Sequence, residues 1–299
     1  MKIPGNLNER ILHIHYHAAG DSRFLRICLQ MDSTLKMFFE HSPGELAGYF
    51  PRKREFAQRT FQSVQRTSCQ AVIKSLEERL ITPVIFTEDR YPPDLLHLHV
   101  PPAVLYCRGR TGLLPNHGRT LSVVGTRFPS SKLKSELDSI LIPLIKHEIC
   151  LVSGMALGVD SFAHETAAAG KGTTIAVLAY GFDHTYPKSK QTLKKQLESE
   201  QLVVSEYPPY IKPEKFRFPE RNRIISALGE AVLVAEAKKR SGSLITAEIT
   251  LELGKDVYAM PGRLSDTLSE GTNRLIQDGA KLILTADDIL EEYQRLVIN

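Results

Sequence analysis

The sequence predicts an α/β protein: an extended Rossmann-like, mostly parallel sheet with a small N-terminal helical unit. Three observations carry this expectation. Seven short apolar runs alternate with amphipathic segments from Leu121 onward, apolar residues recur at helical spacing up to about residue 80, and the stretch between is marked by prolines. The boundaries expected are 1–80 for the helical unit, 81–115 for a Pro-rich junction packing on the main domain, and 116–299 for the main domain.

In the first part, Phe24, Leu25, Ile27 and Cys28, then Leu35, Phe38 and Phe39, trace helix faces separated by short loops. In the junction, Val84–Phe86 and Ala103–Cys107 are short apolar runs bounded by prolines, which suits strands better than helices. The seven later runs are LSVVG, CLVSG, TIAVLAY, LVVSE, AVLVAEA, VYAMP and KLIL. Continuous apolar runs of this length separated by helices mean strands buried on both faces, hence a parallel sheet with right-handed crossovers. Asp160 is placed to cap the helix SFAHETAAAG, with Gly170 after it. Ser130 or Ser131 is placed to cap the helix after VVGTR, and Gly254 to end a helix begun near Ser243.

The chain has 299 residues and a formal charge of +4, which permits nucleic-acid binding without requiring it, because clustering decides. No apolar tract is long enough to cross a bilayer, and the start MKIPGNLNERILHIHYH lacks a secretory h-region; a cytoplasmic protein is expected. Cys28, Cys69, Cys107 and Cys150 are scattered without a CxxC pair, so they read as buried free thiols and no metal site or disulfide framework is expected. His13, His15 and His17 would share a face if they lay on a strand, but nothing nearby completes a ligand set; partly exposed surface histidines are expected.

The segment KPEKFRFPERNR, residues 212–223, interleaves five basic residues with Phe216 and Phe218 and is broken by two prolines. Cations for the backbone and flat rings for bases are what single-stranded nucleic acid requires. A proline-rich connection with solvated charges and tucked-in phenylalanines fits the same residues. In an open parallel sheet the ligand site lies beyond the carboxyl ends of the strands, where helix N-termini point outward. Three loops fall there: VVGTRFPSS with Arg127, SGMALGVDS with Ser153 and Gly154, and EAKKRSGSLITAE with Ser241, Gly242 and Ser243. They describe an anion-binding rim, although each could equally be made of turns and caps. No dinucleotide or nucleoside-triphosphate fingerprint is present. His164 reads as a helix-packing residue, and no cofactor is called for.

Taken in order, VVGTR, SGMALGVDSFAH, TIAVLAYGFDHTYP, VSEYPPYIKPEKFRFPERNRIISAL, VAEAKKRSGSLITA and YAMPGRLSDTLSEGTNRLIQDGAKLI resemble the DprA/Smf family of DNA-processing proteins over roughly 180 residues. The resemblance implies a non-enzymatic, sequence-independent single-stranded DNA-binding protein that loads the RecA recombinase during natural transformation and displaces single-strand-binding protein. It further implies a homodimer, recruitment to a DNA-uptake site at the cell pole, and a sterile-alpha-motif-like N-terminal part. It places DNA contacts on Arg127, Lys215 and Phe218, adds Lys188, and includes the segment's Arg217 with the motif Arg221, Asn222 and Arg223, part of which is expected to organise the loop instead of touching DNA. Two departures stand out. HAAGDSR at residues 17–23 replaces the glycine-rich hairpin turn of many members, so independent DNA binding by the helical part is not expected. The winged-helix-like module that follows in many members is expected to be absent or supplied elsewhere. The alternative class is a nucleoside monophosphate phosphoribohydrolase, since SGSLITAE faintly resembles the PGGxGTxxE of those enzymes.

Overall fold

The computed structural model describes residues 3–114 and 119–298. Six helices come first: α1 Leu7–His17, α2 Ser22–Met31, α3 Met37–Glu40, α4 Pro43–Gly48, α5 Arg54–Arg66 and α6 Cys69–Glu77. Four of their starts are written in the sequence as side-chain caps. Asn6 accepts from the Glu9 N–H, Asp21 from Phe24 and Ser68 from Ala71, and Ser42 with Glu45 forms a reciprocal capping box. The junction supplies β1 Thr82–Ile85 and β2 Val104–Gly109.

The main body follows as β3 Thr120–Val124, α7 Leu133–Lys146, β4 Cys150–Gly154, α8 Val159–Ala169, β5 Thr174–Leu178 and α9 Gln191–Glu200. It continues with β6 Leu202–Ser205, α10 Arg217–Leu228, β7 Ala231–Val234, α11 Gly242–Glu252, β8 Asp256–Ala259, α12 Glu270–Gln277, β9 Lys281–Leu282 and α13 Asp287–Ile298. Among the described residues the strands form one nine-stranded sheet in the order β1-β2-β6-β5-β4-β3-β7-β8-β9. Strands β3 to β9 are parallel, whereas β1 and β2 run antiparallel at one edge. The expected mixed α/β, mostly parallel fold is therefore present, with both junction strands inside the sheet.

Alternation along each strand sorts side chains onto two faces. Val124, Val152, Val177, Val204 and Val232 point to one face, which α10 and α11 cover through Ile224, Leu228 and Ala247. On the opposite face, Leu121, Leu151 and Leu233 meet α7, α8 and α13. Beside them Tyr106, Ala176, Leu178 and Val203 share a continuous core with Ile11, Phe24, Phe38 and Phe61 of the N-terminal helices.

Several local expectations are corrected. Asp160 does not cap α8: Gly158, at φ +73°, holds the cap position, and Asp160 lies in the first turn against Arg221. Neither Ser130 nor Ser131 caps α7, which starts at Leu133 without a side-chain cap; the Ser130 N–H donates to Glu236 Oε2 at 2.9 Å instead. The 212–223 segment is not all connection. Helix α10 begins at Arg217, because Pro219 sits in the first turn, where a missing N–H costs no intrahelical bond. His13 and His15 lie on a helix and are fully buried, not on a strand or at the surface. The four cysteines are free and buried, and Gly254 follows α11 at φ +71°.

Candidate nucleic-acid interface

Strand order reverses at β3, with β4 on one side and β7 on the other, so the crevice beyond the β3 and β7 carboxyl ends is the topological switch point. The loop leaving β3 carries Gly125, Thr126 and Arg127. It is tied to the end of β7, with the Thr126 N–H donating to the Glu236 carbonyl at 2.7 Å. A Cβ on Gly125 would collide with the side chain of Val159, so glycine there lets the β3 loop and α8 approach. This brace leaves Arg127 and Phe128 exposed at the rim.

Arg127 lies over the Phe218 ring, with its guanidinium carbon 5.5 Å from the centroid. Phe218 is half-buried against the core shared with the N-terminal helices. Its other neighbour is Tyr186, whose ring centroid is 5.4 Å away. Tyr186 is fixed by the buried Tyr180: the Tyr180 hydroxyl donates to the Tyr186 carbonyl at 2.9 Å and accepts from its N–H at 3.0 Å. Lys188, two residues on, and Lys215, three before Phe218, are both exposed. The rim thus holds two rings with cations around them.

The remaining residues of the 212–223 segment divide by helical periodicity. Arg221 points inward, buried, where its Nη1 donates to the Val177 carbonyl at 2.7 Å and its Nη2 lies 3.9 Å from Asp160 Oδ2. Burial pushes the Asp160 carboxyl up while Arg221 beside it pulls back, and Arg127 contributes to the same field. A Cβ on Gly154 would fall inside the Arg221 guanidinium, so Gly154 makes room for this pair. The Asn222 side chain donates to the Gly242 carbonyl at 3.2 Å, linking α10 to the α11 loop. Arg223 and Arg217 face the other way. Arg223 pairs with the buried Glu206, and Arg217 bonds the Lys212 carbonyl and Glu214 while stacking over Phe216 and Tyr207.

Of the residues expected at one site, the structure brings Arg127 and Phe218 into contact, with Lys215 and Lys188 exposed on neighbouring segments. Arg221, Asn222 and Gly154 lie behind them as bracing. Ser153 is buried, its hydroxyl donating to the Val123 carbonyl at 2.6 Å, and the Gly154 carbonyl bonds His164 Nε2 at 2.6 Å. Ser241 caps α11, and its hydroxyl already takes the Ser243 N–H; Gly242 is the open position of that loop. His164 is a packing residue: Thr174 holds its other nitrogen at 2.8 Å, and burial lowers its pKa to about 4. Sequence reasoning missed Tyr186, whose one signal was its place beside Lys188 in YPK. Among the described residues no group of three or more His, Cys, Asp or Glu is arranged to hold a metal, and no helix is long and apolar enough to cross a membrane.

Residues 82–294 match the family model for DNA recombination-mediator protein A. The chain belongs to that family. The Bacillus subtilis DNA processing protein DprA is 41% identical over 221 residues, 74% of each chain. The DprA of Streptococcus pneumoniae is 43% identical over 207 residues, covering 69% of this chain and 72% of that one. A crystal structure of the S. pneumoniae protein superposes with a TM-score of 0.80 at 34% identity, over 98% of this chain and 99% of that one. A Helicobacter pylori DNA processing protein A, solved to describe its single-stranded DNA binding mode, superposes with a TM-score of 0.65 at 30% identity, over 72% of this chain and 96% of that one. The family match spans the whole sheet and includes every rim residue named above.

Proposed function

We propose that this member of the DNA recombination-mediator protein A family binds single-stranded DNA along the carboxyl edge of its sheet. The observation that carries the reading is the Arg127–Phe218–Tyr186 cluster at the switch point, flanked by the exposed Lys215 and Lys188. Phosphates meet Arg127, Lys215 and Lys188, while bases meet the rings. Ring stacking accepts any base, so binding is independent of sequence, and phosphate contacts release counterions, so it weakens steeply with salt. The bound strand is then handed to the RecA recombinase in place of single-strand-binding protein, with no chemical step by this protein. It acts in the cytoplasm, including at a DNA-uptake site at the cell pole. A homodimer would set two rims on one strand and raise affinity through effective concentration.

Arg127→Glu and Lys215→Glu test the site. Both side chains are exposed, so the fold should survive, and each variant should lose tenfold or more in single-strand affinity by fluorescence anisotropy. Unchanged affinity in both would sink the assignment. Recombinase handover is checked separately, by strand exchange on DNA precoated with single-strand-binding protein.

A further inference from the structure

The surplus charge of this chain is not where the rim is. Residues 1–80 hold 12 of the 38 Lys and Arg and 8 of the 34 Asp and Glu, a surplus of four cations that accounts for the whole formal charge of +4. The rest of the chain balances. On the helical unit these cations concentrate around the single turn Pro51–Lys53 and the start of α5, where residues 51–55 are all exposed, with Arg23 of α2 nearby.

Lys53 fixes the geometry. Its ammonium pairs with Asp21 at 2.6 Å, next to Arg23. Lys53, Arg23 and Phe56 form one wall of a cleft of about 730 Å³ whose opposite wall is Phe216, Arg217 and Arg223. The segment Phe216–Arg217–Phe218 therefore runs from the cleft to the rim, and Phe216, 55% exposed, stands at the cleft's lip. Acids line the cleft too, but most are engaged: Asp21 by Lys53, Glu206 by Arg223, and Glu220 by the Tyr207 hydroxyl at 2.9 Å, leaving Glu252 exposed. No ion pair among the described residues engages Arg23, Arg52 or Arg54.

The glycine turn of the helical unit cannot supply the contact. Gly20, at φ +82°, is pressed against the main body: a Cβ there would meet the Glu206 carbonyl at 2.9 Å and Pro208 at 3.1 Å. Any nucleic-acid contact by this unit must come from another face, and the basic face stands across the cleft from Phe216 and Arg217, whose chain neighbour Phe218 is at the rim.

We propose that Arg23, Arg52 and Arg54 bind the phosphate backbone of the same single strand that occupies the rim, carrying it over Phe216 and onto the N-terminal helical unit. This rests on the single-strand reading above. Charge complementarity and a place across the cleft from the segment that leads to the rim commit the face to one occupant, a single-stranded nucleic-acid backbone.

The test is length dependence, measured by anisotropy with oligonucleotides of about 6 and about 25 nucleotides, one within and one well beyond a single site's reach. Arg52→Glu/Arg54→Glu should bind the short strand like wild type, and lose tenfold or more on the long one with a shallower salt dependence. Arg127→Glu should lose affinity for both. All four native thiols are buried, so Arg52→Cys provides the one accessible attachment point for a dye. Energy transfer to an end-labelled strand should appear with the long oligonucleotide and not the short one. The inference is overturned if the double variant binds the long strand like wild type, loses both lengths equally, or loses duplex affinity as strongly as single-strand affinity. If Arg127→Glu binds both lengths normally, the single-strand reading itself fails, which is a different signature.

Discussion

At Phe218 one ring serves two tasks. Its edge packs into the core shared with the N-terminal helices, while Arg127 and Tyr186 flank what remains. The more exposed ring of the pair is Tyr186, at 45%. Removing that ring should cost the stacking energy of about one base, roughly 1–3 kcal/mol, so Tyr186→Ala should bind single strands roughly tenfold more weakly. Because no charge is lost, the slope of log K against log salt should not change; a slope shallower by one phosphate contact would disprove stacking. The chain contains no tryptophan, so Tyr186→Trp introduces a lone fluorophore. Its emission should be quenched as DNA binds, and an unquenched signal at saturation would remove Tyr186 from the base platform. Composition marked only the basic-aromatic segment that holds Lys215 and Phe218; the family resemblance singled out those two within it. Tyr186 lies 32 residues before Phe218, and only the packing of the β5 loop against α10 reveals the pair.

Helix α10 shows how an element divides a motif by periodicity. Phe218, Arg221 and Asn222 share the side facing the rim and the strand ends, whereas Arg217, Glu220 and Arg223 face the cleft. Replacing Arg221 with Met would leave Asp160 buried without its cation, which costs about 3–5 kcal/mol when one partner of such a pair is removed. Urea unfolding of Arg221→Met should show that loss, and Asp160→Asn in the same background should recover part of it. No recovery would mean that the two groups are not coupled. Gly154→Ala drives a methyl into the same guanidinium and should cost about 1–3 kcal/mol, the usual range for overpacking. Strands β3 to β7 were legible because each is an apolar run buried on both faces. The start of α10 was not, because Pro213 and Pro219 together mimic a loop and only the place of Pro219 in the first turn reconciles it with a helix. Arg221 was legible in part: a share of the ERNR motif was expected to organise the loop, and burial shows that Arg221 does so.

At the scale of the whole molecule, buried histidines tie stability to pH. His13 packs against His17 and Phe39, His15 lies between Tyr106 and Ser22, and His164 bonds Thr174 and Gly154. Burial lowers the pKa of His13, His15 and His164 from 6.5 to about 4 in each case; His17 beside His13 and Arg221 near His164 push the same way. The charged groups facing His15 and His164 do not reverse the sign: Asp21 raises His15 only in part, and Lys190 lowers His164 further. The unfolded chain therefore takes up protons first. The stability these groups contribute is complete above pH 6.5 and is lost as pH falls through 6.5 towards 4. Within that window each such histidine adds about 1.4 kcal/mol of lost stability per pH unit. Two of the three sit on α1, in the core that joins the helical unit to the sheet, so acid should loosen the same junction that lines the cleft. Urea unfolding between pH 7 and pH 5 should show stability falling, and His13→Leu should make the fall shallower by about one proton's worth. Equal slopes for wild type and variant would mean that His13 already takes up its proton in the folded protein.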